Sequence, residues 1–323
     1  MHRPIRGGRA TPRADGSPFT ERDSVPFRAR GVAAAEQKCR RRLFRPSGIP
    51  SPTTPTRGAP AHGPELRRRG PARHGGRLAT RRRLARRRSR LLDLKDLDWP
   101  PLVRRSDHLE IAGTCTVAQL RALEPDPDWA SFALVEQCSR AFLASFKIWN
   151  EATVGGNLCN GLPAGPMISL TAALDGECLL QAAPGRGPGR TVPVAEFVTG
   201  NGLKQLEPGE VLRAVRIPHR ALRRHSAFRQ VSLTPHGRSA ALLVGTVDPA
   251  DGAFTLTVTA STPSPVQLRR PSVPSADALQ TALADRLAPE DYFDDMHGHP
   301  RWRRHVTHLL AEQIRAELSG GTT

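Results

Sequence analysis

The sequence predicts an α+β fold built as two successive units, and three observations carry that reading. Short stretches with period-two alternation stand beside stretches with helical spacing. A capping-box tetrad opens one of the helical stretches. The 233 residues from Leu91 onward are enough to bury a sizeable core and two subdomains. Taken in order, His108-Leu-Glu-Ile-Ala112 alternates apolar and polar residues, the pattern of a half-buried strand. Thr116-Val-Ala-Gln119 offers the hydroxyl and the amide of a capping box, opening a short helix that carries Val117 and Leu120. Over residues 129–146, Phe132, Val135, Ala141, Phe142 and Phe146 predict a longer helix. The next helix covers 167–174 and stops at Asp175-Gly176. Strands are expected at 177–181 and 191–194, joined across Gly185-Arg-Gly-Pro188, and again at 211–217. The second unit contributes strands at 227–233, 240–247 and 254–259, with an Asp251-Gly252 turn signal before the last. There Phe254, Leu256 and Val258 alternate with three threonines, which predicts a sheet wet on one face. Helices over 276–287 and 303–318 follow.

Charge divides the chain near residue 90. Residues 1–90 carry 25 Lys+Arg against 5 Asp+Glu, whereas residues 91–323 carry 23 against 25, so the first segment holds all of the net charge of +18. It has no Trp or Tyr and contains runs such as Arg67-Arg-Arg69 and Arg81-Arg-Arg83. Such a segment buries too little apolar surface to offset chain entropy, so disorder is expected there. A basic arm of this kind is a candidate nucleic-acid binder. Against that, no aromatic platform lies among the arginines and no DNA-binding motif accompanies them. Proline is too frequent for the amphipathic helix of a transit peptide, and no apolar run resembles a signal peptide or a membrane span.

One stretch has residue types suited to chemistry: Ala152-Thr-Val-Gly-Gly-Asn-Leu-Cys-Asn160, followed by Gly-Leu-Pro-Ala-Gly-Pro166. Gly155 and Gly156 lack Cβ atoms, so a ligand can approach their N–H groups, and Asn157 adds an amide that donates and accepts. Read as a loop after the preceding helix, the stretch suits a pyrophosphate. The competing reading of two bare glycines is an ordinary tight turn.

With Lys147-Ile-Trp-Asn-Glu151 before it and Pro163-Ala164 after it, this string resembles the second FAD-binding motif of the flavoprotein subunits of molybdenum hydroxylases, the xanthine dehydrogenase and carbon monoxide dehydrogenase family. The family pattern is Thr-Ile/Val-Gly-Gly-Asn, a few small residues, then Pro-Ala. The resemblance covers roughly Leu91 to the C-terminus and is greatest to the separate FAD subunit of bacterial xanthine dehydrogenase-like enzymes. It implies a two-lobed PCMH-type FAD-binding domain over 91–222, then a smaller α+β C-terminal domain over 223–323 with a three-stranded sheet plus helices. FAD is the implied cofactor. Thr153, Val154, Gly155, Gly156 and Asn157 would form the phosphate loop, and Leu212 would line the isoalloxazine region. Arg229 falls where relatives carry a Lys near the flavin. Many relatives hold the ribityl chain with an Asp, and this chain has Pro166 at that place. The resemblance further implies that electrons pass from molybdopterin through iron–sulfur clusters to FAD, and then to NAD⁺ or another oxidant. The implied partners are a molybdopterin-binding large subunit and a 2Fe-2S small subunit.

One part of the family pattern is damaged. A first glycine-rich loop of Gly-Gly-Thr type precedes a Leu-Leu-Asp-Leu segment in relatives. Here His74-Gly75-Gly76-Arg77 lies at the matching distance from Leu91-Leu-Asp-Leu94, with Arg77 in place of Thr and arginines filling the interval. Residues 1–90 are therefore expected to be a family N-terminus read in the wrong frame or from the wrong start. Loss of that loop would remove charge-assisted bonds contributing about 1.5–3 kcal/mol each, weakening FAD by several powers of ten. Two alternative readings follow: a cofactor-poor scaffold or defective gene product with the same fold, and a nucleic-acid binder acting through its basic arm.

Other constellations are weaker. Cys115, Cys138, Cys159 and Cys178 form no Cys-x-x-Cys pair, so no iron–sulfur or zinc site is expected, and sparse thiols fit a reducing cytoplasm. His297, His299 and His305 beside Asp294 and Asp295 match no strong ligand spacing. By the resemblance, that segment opens the last helix in a structural role. No Ser-His-acid set stands out, as expected where a flavin carries the redox chemistry.

Overall fold

The computed structural model describes residues 93–182 and 187–320. The expectations for residues 1–90, disorder and a misread start among them, lie outside the described residues, as do Gly185 and Arg186 of the 185–188 turn. The first unit contains β1 (Leu102–Arg104), β2 (His108–Ala112), α1 (Val117–Arg121), α2 (Ala133–Arg140), α3 (Phe146–Glu151), α4 (Val154–Asn160) and α5 (Pro166–Ala173). It continues with β3 (Glu177–Gln181), β4 (Arg190–Pro193), α6 (Val194–Phe197), β5 (Val198–Gly200), β6 (Leu203–Lys204), β7 (Val211–Pro218) and α7 (His219–Leu222). Its main sheet is antiparallel, in the order β1-β2-β7-β3-β4. The second unit holds β8 (His225–Ser232), β9 (Ser239–Val247), β10 (Phe254–Thr259), β11 (Val266–Arg270), α8 (Ala276–Arg286) and α9 (Pro300–Gly320), with sheet order β11-β10-β9-β8.

The capping box is built as the sequence dictates. Thr116 Oγ1 accepts the Gln119 N–H at 3.1 Å, and Gln119 Oε1 accepts the Thr116 N–H at 2.9 Å. The run over 129–146 is not one helix. It breaks after Arg140, where Leu143 takes a left-handed φ of 48°, and restarts at Phe146. The half-buried reading of β2 is also corrected, because Glu110 is buried beneath Arg213 and Arg216 of β7, 3.9 and 3.5 Å away.

Three expectations about the second unit and the glycine stretch change. Its sheet has four strands rather than three. The fourth, β11, was masked by Pro263 and Pro265 before it and by Arg269 and Arg270 at its end, a composition that an edge strand tolerates. The sheet is not wet on one face: Thr255, Thr257 and Thr259 are at most 5 % exposed. Their cover is α5, whose eight residues are all buried because it is a middle layer. Ser169 of α5 bonds Thr259 through their hydroxyls at 2.6 Å, and Gln267 Nε2 donates to Ala172 O at 2.7 Å. The opposite face, with Phe254, Leu256 and Val258, packs in one core with α8 and α9. Finally, the stretch read as a loop at Val154–Asn160 is a helix, α4.

An ion-pair network ties the two units together. Arg220 of α7 meets Asp248 at 2.5 Å, while Arg224 and Arg269 reach the two oxygens of Asp175 at 2.6 and 2.5 Å. Burial raises the Asp248 carboxyl, but the Ala250 N–H with Arg220 and Arg224 outweighs it and leaves the group below its ordinary 3.8. A carboxyl depressed on folding contributes stability above its unfolded value and loses it as pH falls through the folded one. Thermal melts from pH 6 down to pH 2 will therefore show a loss of stability beginning near pH 4, part of which Asp248→Asn abolishes. An unchanged slope in that variant would rule this contribution out.

Candidate functional site

The site is built on α4. Thr153 is its N-cap, with Oγ1 accepting the Gly156 N–H at 2.9 Å. Helical periodicity then divides its residues between faces. Val154, Gly155 and Leu158 turn into the core. Thr153, Gly156, Asn157 and Asn160 form a polar stripe along one wall of a cleft of about 590 Å³. Phe142, Leu143, Glu151, Ala164, Pro166 and Arg238 contribute further walls of that cleft. On the other side of the helix, a second cleft of about 320 Å³ is lined by Gly113, Thr114, Gly155, Cys159, Leu206, Val211 and Leu212. Thr153 and Gly156 line both clefts, so the first turn of α4 is the ridge between them.

Close backbone approach explains Gly155. A Cβ there would lie 2.5 Å from Gly113 O and 2.6 Å from Gly113 Cα, while a Cβ on Gly113 would lie 2.3 Å from Leu212 O. Helix, loop and β7 are thus stacked backbone on backbone. Gly156 differs: its Cβ would meet only Thr153 Oγ1, at 2.8 Å, and the residue is exposed on the ridge.

The amides of this turn have partners inside the protein. Val154 N–H donates to Cys115 O at 2.9 Å, Gly155 N–H to Gly113 O at 3.1 Å, Gly156 N–H to Thr153 Oγ1, and Asn157 N–H to Thr153 O at 3.0 Å. Asn157 Oδ1 accepts the Met167 N–H at 3.0 Å, supplying α5 with the cap that Gly165 lacks. What remains for a ligand is the Thr153 hydroxyl proton, the Asn157 Nδ2 group and the whole Asn160 amide, which bonds no described residue. The second cleft is mostly apolar. Its Glu210 is held by Arg190 through bonds of 2.8 and 2.9 Å, which keeps the carboxyl below its ordinary value. Burial pushes the Cys159 thiol up to about 11, against a smaller opposing effect of Lys204, so it is a neutral wall.

Of the residues singled out in the sequence, Thr153, Gly155, Gly156 and Asn157 come together with Leu212 around this ridge. Val154 is core and lines neither cleft. Arg229 lies on β8, where it donates to Glu317 of α9 at 2.5 Å and to Phe228 O at 2.9 Å, and it borders neither cleft. Sequence reasoning missed Asn160 and Arg238. Asn160 was legible, since it stands three residues after Asn157 on the same helical face, but only once the stretch is read as a helix. Arg238 reaches the cleft from the turn between β8 and β9, and nothing local in the sequence marks it.

A flavin nucleotide fits this geometry. The two clefts meet at a residue without a side chain, one polar and one apolar, and their combined size suits a dinucleotide.

Comparison with known proteins agrees. Residues 77–220 match the family described as FAD binding domain in molybdopterin dehydrogenase. A segment of 76 residues is 32% identical to the carbon monoxide dehydrogenase medium chain of Hydrogenophaga pseudoflava, covering 24% of this chain and a quarter of that protein's length. Among solved structures, quinoline 2-oxidoreductase from Pseudomonas putida 86 aligns with a TM-score of 0.55 and 20% identity, over 68% of this chain and 78% of that one. Reconstituted CO dehydrogenase from Oligotropha carboxidovorans aligns with a TM-score of 0.53 and 20% identity, over 67% and 78%. At these identities the structural likeness is one of fold, and it extends across both units. Over residues 77–220, then, the chain is similar to the FAD binding domains of molybdopterin dehydrogenases.

Proposed function

We propose that this chain is the FAD subunit of a molybdenum hydroxylase. It passes electrons from iron–sulfur clusters through FAD to NAD⁺ or another acceptor, in a xanthine dehydrogenase-like assembly with a molybdopterin-binding large subunit and a 2Fe-2S small subunit. The observation that carries this reading is the polar stripe of α4 standing on a ridge between a polar and an apolar cleft. When bound, FAD supplies the redox chemistry, and the protein supplies position and field. Thr153, Asn157 and Asn160 would donate to the phosphates. Gly156 leaves room for the dinucleotide to cross the ridge. Leu212, with Leu206 and Val211, would cover the ring and exclude water.

Titration of the full chain with FAD, followed by flavin absorbance and fluorescence, tests this. Saturable binding in the micromolar range is expected, because the helix amides of 154–157 already have partners and direct donors are few. A folded chain that binds no FAD at about 1 mM would overturn the reading in favour of a cofactor-poor scaffold.

A further inference from the structure

The amides of the first turn of α4 are bonded within the protein, so the positive charge that a pyrophosphate requires has to come from elsewhere. Among the described residues lining the larger cleft, Arg238 is the one cation. Its backbone is fixed: Gly237 N–H closes the preceding turn onto Thr234 O at 2.8 Å, and the next residue, Ser239, is buried and bonded by Gln230 Nε2 at 2.8 Å. Its side chain is exposed and makes no ion pair or hydrogen bond with any described residue. By contrast, Arg229, Arg269, Arg303 and Arg315 of the second unit hold carboxylates. Arg238 also lines a smaller adjoining cavity of about 180 Å³, where the nearby carboxylate, Asp295, is already taken by Arg303.

We infer that Arg238 is the anion anchor of the cleft. It reaches from the second unit to hold the pyrophosphate of the dinucleotide opposite Thr153, Asn157 and Asn160. A guanidinium suits this place because it presents paired N–H groups to phosphate oxygens and stays charged at any working pH. Binding would then require both units, the first supplying neutral donors and the second the charge. The inference rests on the FAD reading above.

The test compares wild type, Arg238→Gln and Arg238→Lys as full chains, each titrated with FAD, riboflavin and ADP. Arg238 touches no described partner, so melting temperatures should agree among the three proteins. The expected result is that Arg238→Gln weakens FAD by about 10- to 100-fold while changing riboflavin less than twofold, with Arg238→Lys in between. Raising NaCl should weaken FAD binding more steeply in wild type than in Arg238→Gln. Unchanged FAD affinity in Arg238→Gln overturns this inference and leaves the FAD reading intact. Equal losses for FAD and riboflavin overturn it too, since the residue would then act on the ring or the fold. A loss with ADP alone would assign Arg238 to a separate nucleotide. Absence of FAD binding by wild type overturns the functional reading itself.

Discussion

Replacing Arg303 with methionine will lower the unfolding free energy by about 3–5 kcal/mol, the largest single-residue effect expected in the second unit. Arg303 is 1 % exposed and heads the fully buried side chains by volume. Its Nε donates to Gly298 O at 2.9 Å, its Nη1 to Ala240 O and Ala260 O, both at 2.6 Å, and its Nη2 to Asp295. Burial lowers its pKa, and the Asp295 carboxylate opposes that shift. Methionine would fill most of the volume but strand the carbonyls and the carboxylate without donors. Lysine would restore charge without the planar fork, and should recover only part of the loss. The Ala260 bond matters beyond stability. Ala260 holds a left-handed φ of 65°, and its N–H donates to Pro163 O at 2.9 Å, so it supports the turn that walls the larger cleft. Urea unfolding should show a lower midpoint with an unchanged slope. A midpoint shift worth less than about 1 kcal/mol would contradict this account.

Gly155→Ala will cost about 3 kcal/mol and displace the ridge between the two clefts. Its Cβ would collide with the backbone of Gly113, which is pinned by its own N–H to Arg213 O at 2.9 Å and cannot retreat past Leu212 O. Relief has to come from α4 moving outward, carrying Thr153 and Gly156 with it. Gly156→Ala is the instructive contrast. There the added methyl meets only the Thr153 hydroxyl, so the cost is about 1 kcal/mol of lost capping, yet the methyl stands on the ridge between the clefts. Melts of both variants alongside FAD titrations separate the two effects: a large stability loss for Gly155→Ala, and a loss of affinity out of proportion to stability for Gly156→Ala. Equal stability losses would show that the backbone stacking at Gly113 is looser than these distances require.

Local signals gave correct elements where one residue's partners lie close in sequence. The capping box at Thr116 and the strand at Phe254–Thr259 needed only neighbours three residues away or alternation along one segment. The glycine pair was found for its composition, but its physics was misassigned. Sequence alone favoured ligand approach to both N–H groups, whereas Gly155 is required by Gly113, 42 positions earlier. Likewise Asn157 reads as a ligand donor, and half of its side chain turns out to cap α5. The threonines of β10 looked solvated because alternation reports two unlike faces without saying what covers the polar one.

The sequence by itself determined the α+β class, the order of its main elements, the family likeness and the stretch that stands between the two clefts. These depend on periodicity, caps and short motifs, which act over a few residues. The tertiary structure alone decided that the stretch is a helix whose amides are already bonded, that its polar stripe faces a cleft, and that Arg238 of the second unit lines that cleft while Arg229 is held by Glu317. Those outcomes depend on which backbone atoms and charges meet across separations of 40 to 90 residues. Chain periodicity carries no record of such meetings, because each is fixed only when the layers around α5 close.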